Sequence, residues 1–386
     1  MHDKPLSLIS SAILSFCFLA VLVLPSAETL LHFGPHIELP EKRTLQVYPQ
    51  FKWNKKALLS FPARFEAAFN DRFGFRAFLV RTQALAKFYW LHMSPSSKVV
   101  LGRDGWLYLA ESIDEYRGIR RLPPARIQKW LQEIKAKKVF FESRNIKYLV
   151  VIVPNKETVY PEFLPTTVQQ IRNKLYIDDL MNALPADSRP SILDLREPLI
   201  SAKGTGRLYL RTDSHWNQLG AAIASDAIIK RLSSWFQELQ PRSNQNVFET
   251  RTGNSGDLAE LMGLQDRLRE EAIVIPQVPQ ALRPASLRSR TKMKGNLSNE
   301  AVESADGKQR RHAIVTGDSF TNTLNLFLPG QFQRTLKIRP LVPYQDPFFQ
   351  SIIEAEKPDV YIELVVDRHL ANPPQFRSPA PKVPVR

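Results

Sequence analysis

The sequence predicts an α/β protein built on a parallel sheet with helices on both faces. Three observations carry this. Short apolar runs recur at Tyr148–Val153, Ser191–Leu195, Ile314–Thr316, Thr335–Ile338 and Val360–Val366. Segments with apolar residues at helical spacing lie between them. The runs at 148–153 and 360–366 are nearly apolar throughout instead of alternating, as expected of strands buried on both faces. Strands alternating with helices give a three-layer sheet with right-handed crossovers.

The chain has 386 residues, 43% of them hydrophobic, enough for one large domain or two modest ones. It opens on Leu6–Leu24, a run of 19 residues without a charge. That length suits a bilayer span better than the short apolar core of a signal peptide. Residues 1–27 therefore read as a transmembrane signal-anchor, with a cleavage site at Leu24-Pro25-Ser26-Ala27 as the alternative. The few flanking charges give only a weak orientation signal. Cys17, the one cysteine, lies inside the run, so no disulfide can form within the chain and the redox compartment stays open.

Residues 28–97 read as a helical lead-in packed on the main domain. Phe61, Phe65 and Phe69 are four apart and share a helix face, which could instead dock a partner. Val99 to Leu109 reads as a hairpin turning at Gly102-Arg103-Asp104-Gly105. Pro124 opens a helix to Arg144, with Ile127, Leu131 and Ile134 on one side. Val168–Leu184 and Gln218–Phe236 read as two further helices. Residues 279–311 are basic and loop-like, carrying Arg283, Arg288, Arg290, Lys292, Lys294, Lys308, Arg310 and Arg311. Such a run is a solvated insertion or a track for an acidic polymer. The main domain thus spans 98–371. The tail, 372–386, is rich in proline from Pro373 onward and is expected to be extended or disordered.

The net charge of +15 suggests an anionic partner: anionic lipid, nucleic acid or an acidic polymer, against a plain solvated surface. No nucleic-acid module is recognisable. The turn at 102–105 lacks the Gly-Lys-Ser/Thr ending of a phosphate loop.

Two stretches carry chemistry. The first is His312-Ala313-Ile314-Val315-Thr316-Gly317-Asp318-Ser319-Phe320. A buried strand, a glycine turn and a helix would leave Ser319 at the strand's carboxyl end, where open α/β sheets place their sites. Gly-Asp-Ser alone reads equally well as a plain β-turn. The second is Thr212-Asp213-Ser214-His215-Trp216-Asn217, just before the helix from Gln218. A serine nucleophile needs a base, and the base needs an orienting group. Asp213 can reach one imidazole nitrogen of His215 while the other faces outward. The pair could also be a helix cap or part of a metal site, but no third ligand stands at a recognisable spacing.

Gly317-Asp318-Ser319 together with Asp213-Ser214-His215-Trp216 resembles the SGNH-hydrolase-like polysaccharide O-acetyltransferases, the AlgJ/AlgX group. Phe69-Asn70-Asp71-Arg72-Phe73-Gly74-Phe75-Arg76 and Ser94–Gly102 are similar to that group's signatures. So are Gly105–Tyr108, Val153–Lys156 with Val159–Glu162, and Lys357–Val360 leading into Glu363 and Arg368. The resemblance covers most of the chain. It implies a flavodoxin-like three-layer fold, circularly permuted so that Asp and His precede Ser. It also implies a body in the periplasm anchored in the inner membrane, and acetyl groups supplied by a multi-pass membrane acyltransferase to a secreted polysaccharide. The absence of a folded segment after Leu370 makes the chain closer to AlgJ.

On this reading Ser319 is the nucleophile, His215 the general base and Asp213 its orienting partner. Gly317, Arg368, Lys156 and Tyr160 are assigned to oxyanion or substrate binding. Arg368 stands where the related hydrolases carry an asparagine donor, although a salt bridge to Glu363 or Asp367 would also explain it. Tyr160 before Pro161 could equally be packing, and Trp216 is expected beneath the histidine loop. No cofactor, metal or nucleic acid is expected. Three function classes follow: an O-acetyltransferase, an esterase or deacetylase with the same triad, and a non-catalytic assembly protein that binds polymer or a membrane partner.

Overall fold

A computed structural model describes residues 4–35, 37, 44–172, 174–241, 247–276, 282–288, 298–304, 311–339 and 346–372. Two compact units emerge, residues 1–96 with 260–264, and residues 97–259 with 265–386.

Among its described residues the first unit holds three helices, α1 (Lys4–Leu31), α2 (Lys55–Arg72) and α3 (Arg76–Tyr89). Within α1, Ser10–Leu31 is long and apolar enough to cross a membrane and buries none of its residues. The helix continues through Pro25 instead of stopping there. Asn54 caps α2 by accepting the Ala57 N–H at 2.8 Å. Phe61 and Phe65 stack on one another with centroids 5.9 Å apart, as their spacing of four predicts. At the α2–α3 turn the Gly74 N–H donates to Thr29 Oγ1 at 2.8 Å.

Among the described residues the second unit is built on eleven short strands. The first two, β1 (Val99–Leu101) and β2 (Leu107–Leu109), form the predicted antiparallel hairpin. Then come β3 (Lys147–Val153), β4 (Ile192–Asp194), β5 (Glu249–Gly253), β6 (Glu270–Val274), β7 (Leu282–Ala285), β8 (Ser298–Ser304), β9 (His312–Thr316), β10 (Arg334–Arg339) and β11 (Val360–Val366). The main sheet has the order β4-β3-β11-β9-β10-β8-β7. From β4 to β10 neighbouring strands are parallel, whereas β8 and β7 join antiparallel.

The sheet is therefore mixed, and the expectation of a wholly parallel sheet is corrected at one edge. Residues 279–311, expected to be a loop-like insertion, contribute β7 and β8. The period-two signal there is weak because Ser298-Asn299-Glu300-Ala301-Val302-Glu303-Ser304 is mostly polar, as an antiparallel strand with one wet face can be. Arg290, Lys292, Lys294, Lys308 and Arg310 lie outside the described residues, as does the tail from Pro373.

Alternate residues of the central strands feed two cores. Leu149, Val151, Val153, Ile362, Leu364 and Val366 pack with α9 (Gln218–Leu232) on one face. Tyr148, Val150, Ile152, Tyr361 and Val365 pack on the other with α5 (Pro124–Glu142), α7 (Tyr176–Ala183) and α12 (Pro347–Glu356). Burial on both faces explains the apolar runs, since each fully buried large side chain contributes about 1.5–3 kcal/mol. A second correction concerns Val168–Leu184, which is helical only as α7. The Ile171 N–H donates to Arg117 O at 2.8 Å, and the Leu175 N–H to Asp178 Oδ2 at 2.8 Å. Residues 168–172 are irregular, with a bend at 171–172, and the helix starts at its acidic residues.

Glu363 is the one charged residue in the β11 run, and it is fully buried. Lys137 Nζ lies 2.6 Å from its Oε2, and Tyr148 Oη donates to the same oxygen at 2.8 Å. Removing the lysine would strand a buried carboxylate. Lys137→Met should cost about 3–5 kcal/mol in urea denaturation. Lys137→Met combined with Glu363→Gln should recover most of that loss.

Candidate active site

Ser319 follows β9 at the carboxyl edge of the sheet, after Gly317 and Asp318. Gly317 has φ +157°, and a Cβ there would lie 2.7 Å from Leu364 O of β11. Only glycine lets the chain turn this close to the neighbouring strand. The Asp318 carboxylate accepts the N–H groups of Phe320 at 3.0 Å and Val366 at 3.1 Å. His369 Nδ1 stands 3.5 Å away from it. Burial opposes ionisation of Asp318, but these partners hold its carboxyl below the usual range.

The loop from Leu208 to Asn217 lies against this edge. Asn217, not Asp213, caps α9, accepting the Gly220 N–H at 3.0 Å. Asp213 is thereby left to His215. Its Oδ1 is 2.6 Å from His215 Nδ1, and His215 Nε2 is 2.5 Å from Ser319 Oγ. A carboxylate can only accept, so the Nδ1–H tautomer is required and Nε2 accepts the serine hydroxyl proton. Asp213 also accepts the N–H groups of His215 and Asp257, each at 2.9 Å. Burial raises the carboxyl's pKa, and the bonds and charge of His215 overcome that and hold it well below the usual carboxylate range. Asp213, His215 and Ser319, far apart in sequence, thus form one hydrogen-bonded relay.

Lys156 and Tyr160 do not line an open cleft and act instead beneath the loop. Lys156 is 3% exposed, and its Nζ donates to the carbonyls of Leu210, Arg211 and Asp213 at 3.0, 3.0 and 2.6 Å. Burial lowers its pKa to about 8 against the pull of Asp213, Glu270 and Asp257. The Tyr160 hydroxyl accepts the Leu208 N–H at 2.8 Å, and its ring packs 4.6 Å from Trp106. Trp216 is buried, edge-on to Phe320 at 5.0 Å.

Arg368 makes neither of the ion pairs expected of it, since Glu363 is taken by Lys137. Its Nη1 donates to Asn155 Oδ1 at 3.0 Å, and its guanidinium lies 5.8 Å over the Phe320 ring next to Ser319.

Several site residues escaped the sequence reading. The Asp257 carboxylate accepts the Ser214 N–H at 2.7 Å and the Ser214 hydroxyl at 2.6 Å. With Asp213 and His215 it forms a set of potential ligand atoms within 4.8 Å of one another, the third ligand that sequence spacing did not show. A Cβ on Gly256 would meet Asp213 Cβ at 2.2 Å, so this glycine allows the two segments to touch. Glu270 accepts the Arg211 N–H at 2.7 Å and the Thr212 N–H at 2.9 Å. In sequence, Asn254-Ser255-Gly256-Asp257 looks like any polar turn.

Behind the site, the Asn155 amide donates to Glu115 at 3.2 Å. Glu115 faces Asp367, whose side-chain oxygens meet no donor among the described residues apart from the Glu115 carboxyl. Burial, then mutual repulsion for Glu115, raises both carboxyls, Asp367 to about 7. The folded state therefore binds more protons than the unfolded chain at neutral pH. The associated stability is complete below the ordinary carboxylate range and is lost as pH rises through the folded pKa. Asp367→Asn should flatten the fall in Tm between pH 5 and pH 8 by about 3 °C or more in thermal scans.

Comparison with known proteins agrees with this architecture. Residues 99–342, well over half the chain, match the family model described as SGNH hydrolase-like domain, acetyltransferase AlgX. The chain is 27% identical over 246 residues to the probable alginate O-acetylase AlgJ of Pseudomonas putida, covering 62% of this chain and 59% of that protein. It is 27% identical over 285 residues to that of Pseudomonas aeruginosa, covering 70% and 67%. The match thus spans less than two thirds of the first relative's length. Among solved structures it is similar to the O-acetyltransferase domain of Pseudomonas putida AlgJ, at TM-score 0.45 and 22% identity, covering 73% of this chain and 95% of that one. The order Asp213, His215, Ser319, the mixed α/β sheet and the match over 99–342 converge, and the chain belongs to the SGNH hydrolase-like family of the acetyltransferase AlgX.

Proposed function

We propose that this protein is an O-acetyltransferase that moves acetyl groups onto hydroxyls of a secreted, alginate-like polysaccharide through an acetyl-serine at Ser319. The observation that carries the reading is the relay from Asp213 to His215 to Ser319, at 2.6 and 2.5 Å. The names of the relatives, alginate O-acetylases, support the acceptor class.

In the proposed reaction, His215 Nε2 takes the Ser319 proton as Oγ attacks the carbonyl carbon of an acetyl donor. The tetrahedral oxyanion is held by backbone N–H groups including that of Ser319, with Gly317 leaving room for the turn. His215 gives the proton to the leaving group. A sugar hydroxyl then attacks the acetyl-serine, His215 again taking the proton, and Ser319 is regenerated. Asp213 fixes the tautomer and stabilises the imidazolium at each step. Arg368, beside Phe320, is suited to a negatively charged acceptor or to the developing oxyanion.

In this reading α1 anchors the protein in the inner membrane with the α/β unit in the periplasm. A multi-pass membrane acyltransferase supplies the acetyl group. The apolar, unburied stretch Ser10–Leu31 supports the anchor.

The test is acetyl transfer from a chromogenic acetyl ester to polymannuronate oligosaccharides by the purified protein. Ser319→Ala should reduce transfer about a thousandfold or more with an unchanged circular dichroism spectrum. Release of acetate to water with no acetylated sugar, across acceptor concentrations, would replace the transferase reading with an esterase.

A further inference from the structure

Asp257 has no place in a three-residue relay, yet it meets two of its members, Asp213 and His215. Its backbone N–H donates to Asp213 Oδ2 at 2.9 Å, leaving Asp213 Oδ1 for the imidazole. Its carboxylate takes both donors of Ser214, the residue between the aspartate and the histidine. Its Oδ2 lies 3.6 Å from His215 Nδ1, the same nitrogen that Asp213 holds at 2.6 Å. Gly256 brings it there, since any side chain at 256 would collide with Asp213.

We propose that Asp257 is a positioning residue that acts through His215, fixing the Asp213-Ser214-His215 turn and setting a second negative charge beside the imidazolium. The two roles separate chemically. The clamp on Ser214 needs an acceptor of carboxylate shape, whereas the effect on the imidazole needs the charge. Proton transfer from Ser319 to Nε2 makes His215 positive while Asp213 remains ionised. A second carboxylate 3.6 Å from Nδ1 favours that charged form by Coulombic attraction; burial and then repulsion from Asp213 raise the Asp257 carboxyl's own pKa, so the positive imidazole is what favours its charge. The other charged groups around the turn are Lys156 and Glu270 beneath it. Arg368 stands on the far side of Phe320, whose ring is 4.8 Å from that of His215, and Asp318 is engaged with His369. Lys156 opposes the carboxylates, so removing one of them tips the local balance directly.

This assignment rests on His215 being the base of the proposed reaction, but its test reads His215 itself and needs no turnover. Proton NMR follows the imidazole titration in the full-length protein, with the His215 signal identified by its loss in His215→Gln. Asp257→Asn keeps an oxygen for the Ser214 N–H and removes the charge. The His215 titration should move down by about one pH unit. With an acetyl ester, the acid limb of kcat/KM should move with it, and its plateau should fall about tenfold. Asp257→Ser, which leaves a small acceptor near Ser214, should shift the titration in the same direction and serves if the asparagine variant does not fold. An unchanged His215 titration in a folded variant would overturn the proposal and leave Asp257 as a purely structural clamp. A shifted titration with no acetyl transfer in any variant would keep the Asp257–His215 coupling and count against the transferase reading alone.

Discussion

A half-buried carboxylate that must stay ionised governs this structure. Asp213 is useful to His215 only as an acceptor, and the loop that carries it lies largely out of water. Its negative charge is tolerable because three N–H groups point at it and Lys156 sits beneath. Beyond the two from His215, the donors come from distant parts of the chain. Lys156 follows β3, and Asp257 lies 44 positions beyond Asp213. The loop therefore has its shape only when the sheet and the segment around Gly256 are both in place.

The sheet supplies the other half of the site. Ser319 leaves β9 at its carboxyl end, between β11 and β10, so both neighbouring strands constrain the turn. Leu364 O fills the space a side chain at Gly317 would need, and the Val366 N–H holds Asp318. Buried polar groups continue behind this edge through Asn155, Glu115 and Asp367. Placing carboxyls in so dry a region makes them keep their protons, which ties the stability of the site's back wall to pH.

Much of this was legible in the sequence, for identifiable reasons. Strands buried on both faces have to be apolar, so β3 and β11 announced themselves. Asp213, His215 and Ser319 stood out because each sits among turn residues next to an apolar run. What escaped depended on partners distant in sequence. Asp257 looks like part of an ordinary polar turn until the fold sets it against Ser214. Lys156 looks like a cleft residue until three carbonyls are seen to take its donors. Arg368 could be placed near Ser319 from its position after β11, but its link to Asn155 could not. The antiparallel strands β7 and β8 hid behind polar residues, since one wet face removes the apolar signal.

The central claim is that an acetyl group passes through Ser319 under control of His215. The direct measurement is rapid acid quenching of the protein during reaction with a chromogenic acetyl ester, followed by peptide mass mapping. The account predicts a single added acetyl group on Ser319 in the native protein, lost on addition of a polymannuronate acceptor and missing in His215→Ala. Continued turnover with the acetyl group on another residue, or with none on the peptide containing Ser319 at any quench time, would contradict it.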